Sequence, residues 1–130
     1  KLGRGGIREI EFFVQTQQLI WGGRVPGTRS PQTLVALDAL TEKGFVAPAV
    51  RDDLAAAYRY LRKLEHRLQM INDQQTHELP DTAAGLEALA TFMGYETRSA
   101  FEDDLTLHLR RVEGHYAKLF EDSPTLTAAT

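Results

Sequence analysis

From Ile7 onward, apolar side chains return at Ile10, Val14 and Trp21, a helical spacing interrupted by Gln17 that lines one face over about residues 7–21. Gly22 and Gly23 end this helix, and residues 24–29, with Pro26 and Gly27, read as a loop. Ser30 followed by Pro31 marks the next start. The Ser oxygen accepts an orphan backbone N–H, and proline at the first helical position loses no hydrogen bond. Leu34, Leu37 and Leu40 or Thr41 face inward on this short helix, and Gly44 stops it. A turn over residues 45–48 leads into the longest element. There Leu54, Tyr58, Leu61, Leu64, Leu68 and Ile71 keep helical spacing with no Gly or Pro before Pro80, predicting a helix over about 49–76, roughly 40 Å long. A shorter helix carries Leu86, Leu89, Ala90 and Met93 and ends at Gly94. Ser99 and Glu102 form a capping-box pattern, and Asp103 and Asp104 follow in the electropositive first turn. The last long helix carries Phe101, Leu105, Leu109, Val112, Tyr116 and Leu119 on one face, and the tail frays from about residue 123.

No window alternates apolar and polar residues between turn signals, so no sheet is predicted. The expected fold is all-α: an antiparallel up-and-down bundle of about five helices, two of them long. A chain of 130 residues, 42% apolar and 25% charged, suits one globular domain and argues against disorder. A net charge of −3 with acids and bases interspersed leaves no basic footprint for nucleic acid. Zero cysteines exclude disulfides and thiolate metal sites and fit a reducing cytosol, and no apolar run approaches the roughly 18 residues that span a bilayer. A cytoplasmic protein without membrane contact is expected. The chain lacks an initiating Met and opens within a motif. The expectation is a single helical domain, residues 1–130, taken from a longer multidomain chain: 1–6 linker, 7–122 bundle, 123–130 frayed tail.

The opening "KLGRGGIREIEFF" is the first candidate site. Gly3, Gly5 and Gly6 would let backbone N–H groups approach an anion, with Arg4, Arg8 and the positive helix start adding charge. The pattern matches neither the dinucleotide fingerprint nor the P-loop, so the residues alone favour a plain glycine-rich turn. Glu9 and Glu11 lie about 200° apart on a helix, so only one can point into the bundle. Glu11, beside Ile7, Ile10 and Val14, is the better placed and requires a cationic or hydrogen-bonding partner. Arg62, Glu65 and Gln69 recur at helical spacing on the long helix and, with Arg67, offer a buried polar network, although local helix pairing accounts for them more simply. His108 and His115, seven residues apart with backbones about 10 Å apart, do not suit one small ion, so no metal site is expected. Ser30, Ser99 and Ser123 lack a nucleophile elbow, so no catalytic residue is assigned.

"KLGRGGIREIEFFVQ", "LRKLEHRLQMINDQQTHELP" and the later "MGY" resemble the helical domain that follows a nucleotidyltransferase domain in the bifunctional glutamine synthetase adenylyltransferase/adenylyl-removing enzyme family. The style of "GGIREIEF", "LEHRLQ" and "DQQT" is most like the N-terminal, deadenylylating half. The uridylyltransferases of the PII signal protein share a looser version of the opening. The resemblance implies a bacterial regulator of nitrogen assimilation that attaches AMP to a glutamine synthetase tyrosine with ATP and Mg2+, and removes it by phosphorolysis to give ADP. PII and glutamine would set the direction. The metal-holding acidic signature of that family belongs to the preceding domain. Here Asp52–Asp53 and Asp103–Asp104 are adjacent pairs on helices, so the chain is expected to hold no cofactor and to be catalytically silent alone. The implied partners are the nucleotidyltransferase domain in cis, glutamine synthetase and possibly PII. The resemblance also places Gly3 to Gly6 where the chain leaves the catalytic domain, with Arg4 or Arg8 toward nucleotide or phosphate. The competing expectation is that the opening only sets the interdomain angle, with Arg8 and Glu11 tied to Glu65 and Arg67. Outside catalysis altogether, a bundle binding PII or glutamine synthetase is the alternative.

Overall fold

The computed structural model describes residues 2–21, 32–72, 79–80 and 82–122. They form five α-helices: α1 (Leu2–Trp21), α2 (Thr33–Glu42), α3 (Pro48–Asn72), α4 (Ala83–Phe92) and α5 (Arg98–Asp122). No strand occurs among the described residues, and the fold is all-α.

The helix ends show where sequence signals act. Gly44 and Gly94 adopt φ of 86° and 95°, the left-handed conformation that stops α2 and α4. In each case the following N–H reaches back to the last turn, Phe45 to the Leu40 carbonyl and Tyr95 to the Ala90 carbonyl, both at 2.9 Å. At the start of α4 the Thr82 hydroxyl accepts from the Gly85 N–H at 3.0 Å. Three starts differ from expectation. α5 begins at Arg98, capped by the Thr97 hydroxyl, which accepts from the Ala100 N–H at 3.1 Å. Because Thr97 caps the helix, Ser99 lies inside it, and no acidic residue stands in its first turn. α2 begins at Thr33 behind Gln32, which makes no side-chain capping bond, whereas the Ser30–Pro31 signal lies outside the described residues. The loop 24–29, the extension of α3 over 73–76 and the tail 123–130 lie outside them as well.

The third difference concerns the glycine-rich opening. Helix α1 starts at Leu2, so residues 2–6 continue the helix instead of forming a turn before it. The physical reason is visible at Gly6. A Cβ there would lie 2.8 Å from Leu61 Cδ1 and 2.8 Å from Leu109 Cδ2, so a bare backbone is what lets α1 approach both α3 and α5. Close approach offsets the propensity cost of about 0.5–1 kcal/mol that glycine carries in a helix interior.

Contacts along the helices define the topology. Residues 6 and 11 of α1 meet 61 and 58 of α3, so these helices run antiparallel. Tyr60 and Asp53 of α3 meet His108 and His115 of α5, again antiparallel. Residues 6 and 12 of α1 meet 109 and 116 of α5, which run parallel. The three long helices therefore go up, down and up, with α2 packed on α1 and α3, and α4 on α5 and α3. Their stripes meet in one core of Ile7, Ile10, Val14, Leu54, Leu61, Leu64, Leu68, Phe101, Leu105 and Val112, joined by Leu37 and Leu40. Burying such side chains contributes about 1.5–3 kcal/mol each relative to exposure, which is what holds the short helices in place.

Candidate functional site

The motif "REIEFFVQ" builds a groove on the outer side of α1. Residues 8, 12 and 15 recur at helical spacing, and Glu9 and Glu11 stand on either flank. With Tyr116 of α5 they enclose about 340 Å³. Phe12 and Tyr116 form its aromatic wall, their ring centroids 5.8 Å apart and tilted by 55°. Arg8 is exposed and forms no ion pair among the described residues. Gly3 and Gly5 belong to the α1 backbone, as does Arg4, whose side chain lies outside the described residues, and Gly6 is buried in the three-helix contact.

The two glutamates divide between the neighbouring helices. Glu11, half-buried, faces α3, where the Tyr58 O–H lies 3.5 Å from its Oε2. Glu9 faces α5. Partial burial and the negative charge of Glu113 raise its pKa above the usual carboxylate value. Both carboxylates are thus at the edges of one groove, whereas the sequence pointed only Glu11 inward.

Of the polar set on α3, part connects to α1 and part does not. The Arg62 guanidinium lies over the Tyr58 ring, 5.9 Å from its centroid, and 3.9 Å from Glu65, so Glu11, Tyr58, Arg62 and Glu65 form a continuous chain. Gln69 is half-buried one turn beyond. Arg67 turns the other way, lying 4.8 Å over the Phe92 ring and donating to the Phe92 carbonyl at the end of α4. That carbonyl is among those a helix end leaves unpaired, so Arg67 serves α4 and does not bind Glu11.

Two clusters join residues too far apart in sequence for local spacing to pair. Tyr95 donates to Asp104 at 2.8 Å, and because a hydroxyl has one proton, Tyr60, 3.0 Å away, donates to the Tyr95 oxygen. Burial, then this hydrogen bond, pushes the Tyr60 pKa upward. His108 stacks on Tyr60 at 4.5 Å with its Nδ1 buried and unpaired, and burial lowers its pKa. The second cluster is Asp53 of α3, 3.0 Å from His115 and 3.9 Å from Arg111. Three of the four aspartates in the adjacent pairs are engaged internally: Asp53 with His115, Asp52 with Arg51 and Asp104 with Tyr95. Among the described residues no group of three or more His, Asp or Glu could hold a metal ion. No described helix is long and apolar enough to cross a membrane. A more apolar groove of about 440 Å³ lies beside α5, lined by Leu79, Leu86, Leu105 and Leu109 with Arg110 and Glu113 among its polar residues.

Comparison with known proteins adds what geometry alone does not. The family model described as GlnD PII-uridylyltransferase matches residues 1–120. The chain belongs to the GlnD PII-uridylyltransferase family. Within it, the chain is 57% identical over 128 residues to the bifunctional glutamine synthetase adenylyltransferase/adenylyl-removing enzyme of Rhodopseudomonas palustris strain HaA2, covering 98% of this chain. The enzyme of the same name from Bradyrhizobium sp. strain ORS 278 is 56% identical over 129 residues, 99% of this chain. That from Xanthobacter autotrophicus strain Py2 is 59% identical over 122 residues, 94% of this chain. The chain spans 13%, 13% and 12% of the length of these three relatives, so the similarity is to a domain-sized region of a much longer enzyme. A match along nearly the whole bundle covers α1 with its groove, the Tyr58–Arg62 segment and the Tyr95 turn together.

Proposed function

We propose that the chain is the helical accessory domain of an enzyme that adenylylates and deadenylylates glutamine synthetase, of the kind found in its N-terminal, adenylyl-removing half. The similarity of 57% over 98% of the chain to enzymes of that name, of which it spans 13%, carries the reading. In the removal reaction an oxygen of orthophosphate bonds to the adenylyl phosphorus. The bond from phosphorus to the tyrosyl oxygen breaks, ADP leaves and the tyrosine oxygen takes a proton. The bundle supplies no metal ligand to this step. Mg2+ and ATP are used by the nucleotidyltransferase domain in cis, which agrees with Asp52, Asp53 and Asp104 being engaged by Arg51, His115 and Tyr95. Arg8 is exposed beside the aromatic groove and is the side chain proposed to face phosphate or nucleotide. PII and glutamine would act through this multidomain cytoplasmic enzyme.

The test is phosphate-dependent ADP release from adenylylated glutamine synthetase, comparing the 130-residue chain with a polypeptide extended through the nucleotidyltransferase domain. Release by the extended polypeptide alone supports an accessory bundle. Release by the 130-residue chain itself overturns it and directs attention to Glu9, Glu11 and Glu65. Exposed Phe12 and Leu19 favour one second reading, a bundle that binds PII or glutamine synthetase with no part in nucleotide handling. Full phosphate dependence after Arg8→Ala, together with nucleotide-independent binding of PII, would favour that reading.

A further inference from the structure

The "MGY" motif supplies the turn between α4 and α5, and the function proposed above leaves it without a role. Gly94, at φ 95°, stops α4 and sets the course of the chain into Tyr95. The Tyr95 ring packs on Phe101 at 5.6 Å, and its hydroxyl stands between two partners: it donates to Asp104 of α5 and accepts from Tyr60 of α3. One chain of hydroxyls thus ties the turn to both long helices. The tie matters because α4 buries only Leu89 and Ala90, fewer residues than α2 buries over the same length of ten.

His108 stands one helical turn after Asp104, and because helical side chains tilt toward the N-terminus, its ring leans toward that carboxylate. The ring lies on Tyr60, centroids 4.5 Å apart, with Nδ1 buried and without a hydrogen-bond partner among the described residues. The titratable and charged groups that face it are Asp104 and Arg111 on α5 and Asp53 and Tyr60 on α3. Arg111 opposes a proton there, and Asp53 is taken up by His115 at 3.0 Å and Arg111 at 3.9 Å. Asp104 is therefore the carboxylate open to a charged His108, and it already accepts from Tyr95.

We infer that His108 and Tyr95 compete for Asp104, so that a proton on His108 draws the carboxylate along α5, away from Tyr95, and frees the α4–α5 turn from α3. The proton enters from solvent and binds the bare ring nitrogen, and an imidazolium N–H then donates to the carboxylate. The imidazolium stays on the Tyr60 ring, a surface that favours a cation. Burial holds the His108 pKa below 6.5, so at pH 7 the ring is neutral and the turn is tied, and acidification unties it. The motif is thereby a proton-sensitive latch on the short helix α4.

The experiment is hydrogen–deuterium exchange mass spectrometry of the full-length polypeptide across pH, with two readouts. Exchange at His108 Cε1 follows protonation of the ring, and backbone exchange over residues 93–97 follows the turn. Tyr95→Phe should raise the proton affinity of His108 by up to roughly tenfold, the worth of one hydrogen bond to a charged group. In the Asp104→Asn background the same replacement should change nothing, because the carboxylate through which it acts is gone. An effect that persists in that background reports loosened packing alone and overturns the inference, as does an unchanged titration in Tyr95→Phe. Backbone protection over 93–97, corrected for intrinsic exchange, should fall as pH drops through the His108 titration and stay level in His108→Gln. Constant protection in the unaltered polypeptide overturns the latch.

Discussion

Replacing Gly6 and Gly114 by alanine applies one chemical change to two helical sites and should give opposite results. Gly114 lies within α5, exposed, with nothing within 4 Å of an added Cβ. There the methyl group only reduces the freedom of the unfolded chain, so Gly114→Ala should stabilise by about 0.5–1 kcal/mol. At Gly6 the same gain meets two methyl groups, Leu61 Cδ1 and Leu109 Cδ2, each 2.8 Å from the new atom. Leu61 is fully buried and cannot move without displacing the core around it. Overpacking of this kind costs about 1–3 kcal/mol, leaving Gly6→Ala destabilised by about 1 kcal/mol. Unfolding entropy near 2.1 cal/mol/K per residue makes 1 kcal/mol worth about 4 °C in a chain of this length. Calorimetry should therefore show Tm lower by about 4 °C for Gly6→Ala and higher by about 2–4 °C for Gly114→Ala. If both variants gain stability alike, α1 does not approach α3 and α5 at residue 6, and the account of the opening glycines fails.

Arg8→Ala should leave Tm within about 1 °C, as expected for an exposed surface change, while weakening the phosphate dependence of the full-length enzyme; a large fall in Tm would give Arg8 a structural role instead. Arg67→Ala removes the contacts to the Phe92 carbonyl and ring and should cost about 1 kcal/mol in urea denaturation, with Arg67→Lys recovering little because the planar guanidinium is lost. Glu9 has its folded pKa raised above 4.5, so its protonated form favours folding and that contribution disappears as pH rises through the folded value; Glu9→Gln should raise Tm at pH 7 and leave it nearly unchanged at pH 4. His108 has its folded pKa depressed below 6.5, so the unfolded chain takes up the proton first and stability declines as pH falls from 7 through that value toward the folded one; His108→Gln should flatten melting curves recorded between pH 7 and 5.

Periodicity made the bundle legible because each long helix buries one stripe: Ile7, Ile10 and Val14; Leu54 through Leu68; Phe101 through Val112. Gly44 and Gly94 were readable because a left-handed stop is a local demand on one residue. The opening was harder. Three glycines resemble a turn in sequence, and only the approach of Leu61 and Leu109 shows why one of them belongs in a helix. The start of α5 was misplaced for a related reason: Thr97 and Ser99 are both competent caps, and the conformation of the preceding turn decides between them. At the site, Glu11 and the local Arg62–Glu65 pair could be nominated from spacing and Arg8 from its charge, but the partner of Glu11 could not. Tyr58 is 47 residues from Glu11, and His115 is 62 from Asp53, distances over which no local rule pairs side chains. Phe12 is exposed and Phe13 is buried, and because neighbours on a helix differ by about 100°, the width of the buried face decides which one is covered.

The up, down and up course of the three long helices has a mechanical result. Because α1 and α5 run parallel, the start of one and the end of the other lie at opposite ends of the bundle, separated by roughly the 25-residue length of α5, or about 37 Å. A segment joined before α1 and a segment joined after α5 are thereby kept apart by a rigid strut. A hairpin-like pair of helices would bring the same two attachments side by side. In a polypeptide with parts attached at both ends, such a strut would set how far those parts stand from one another.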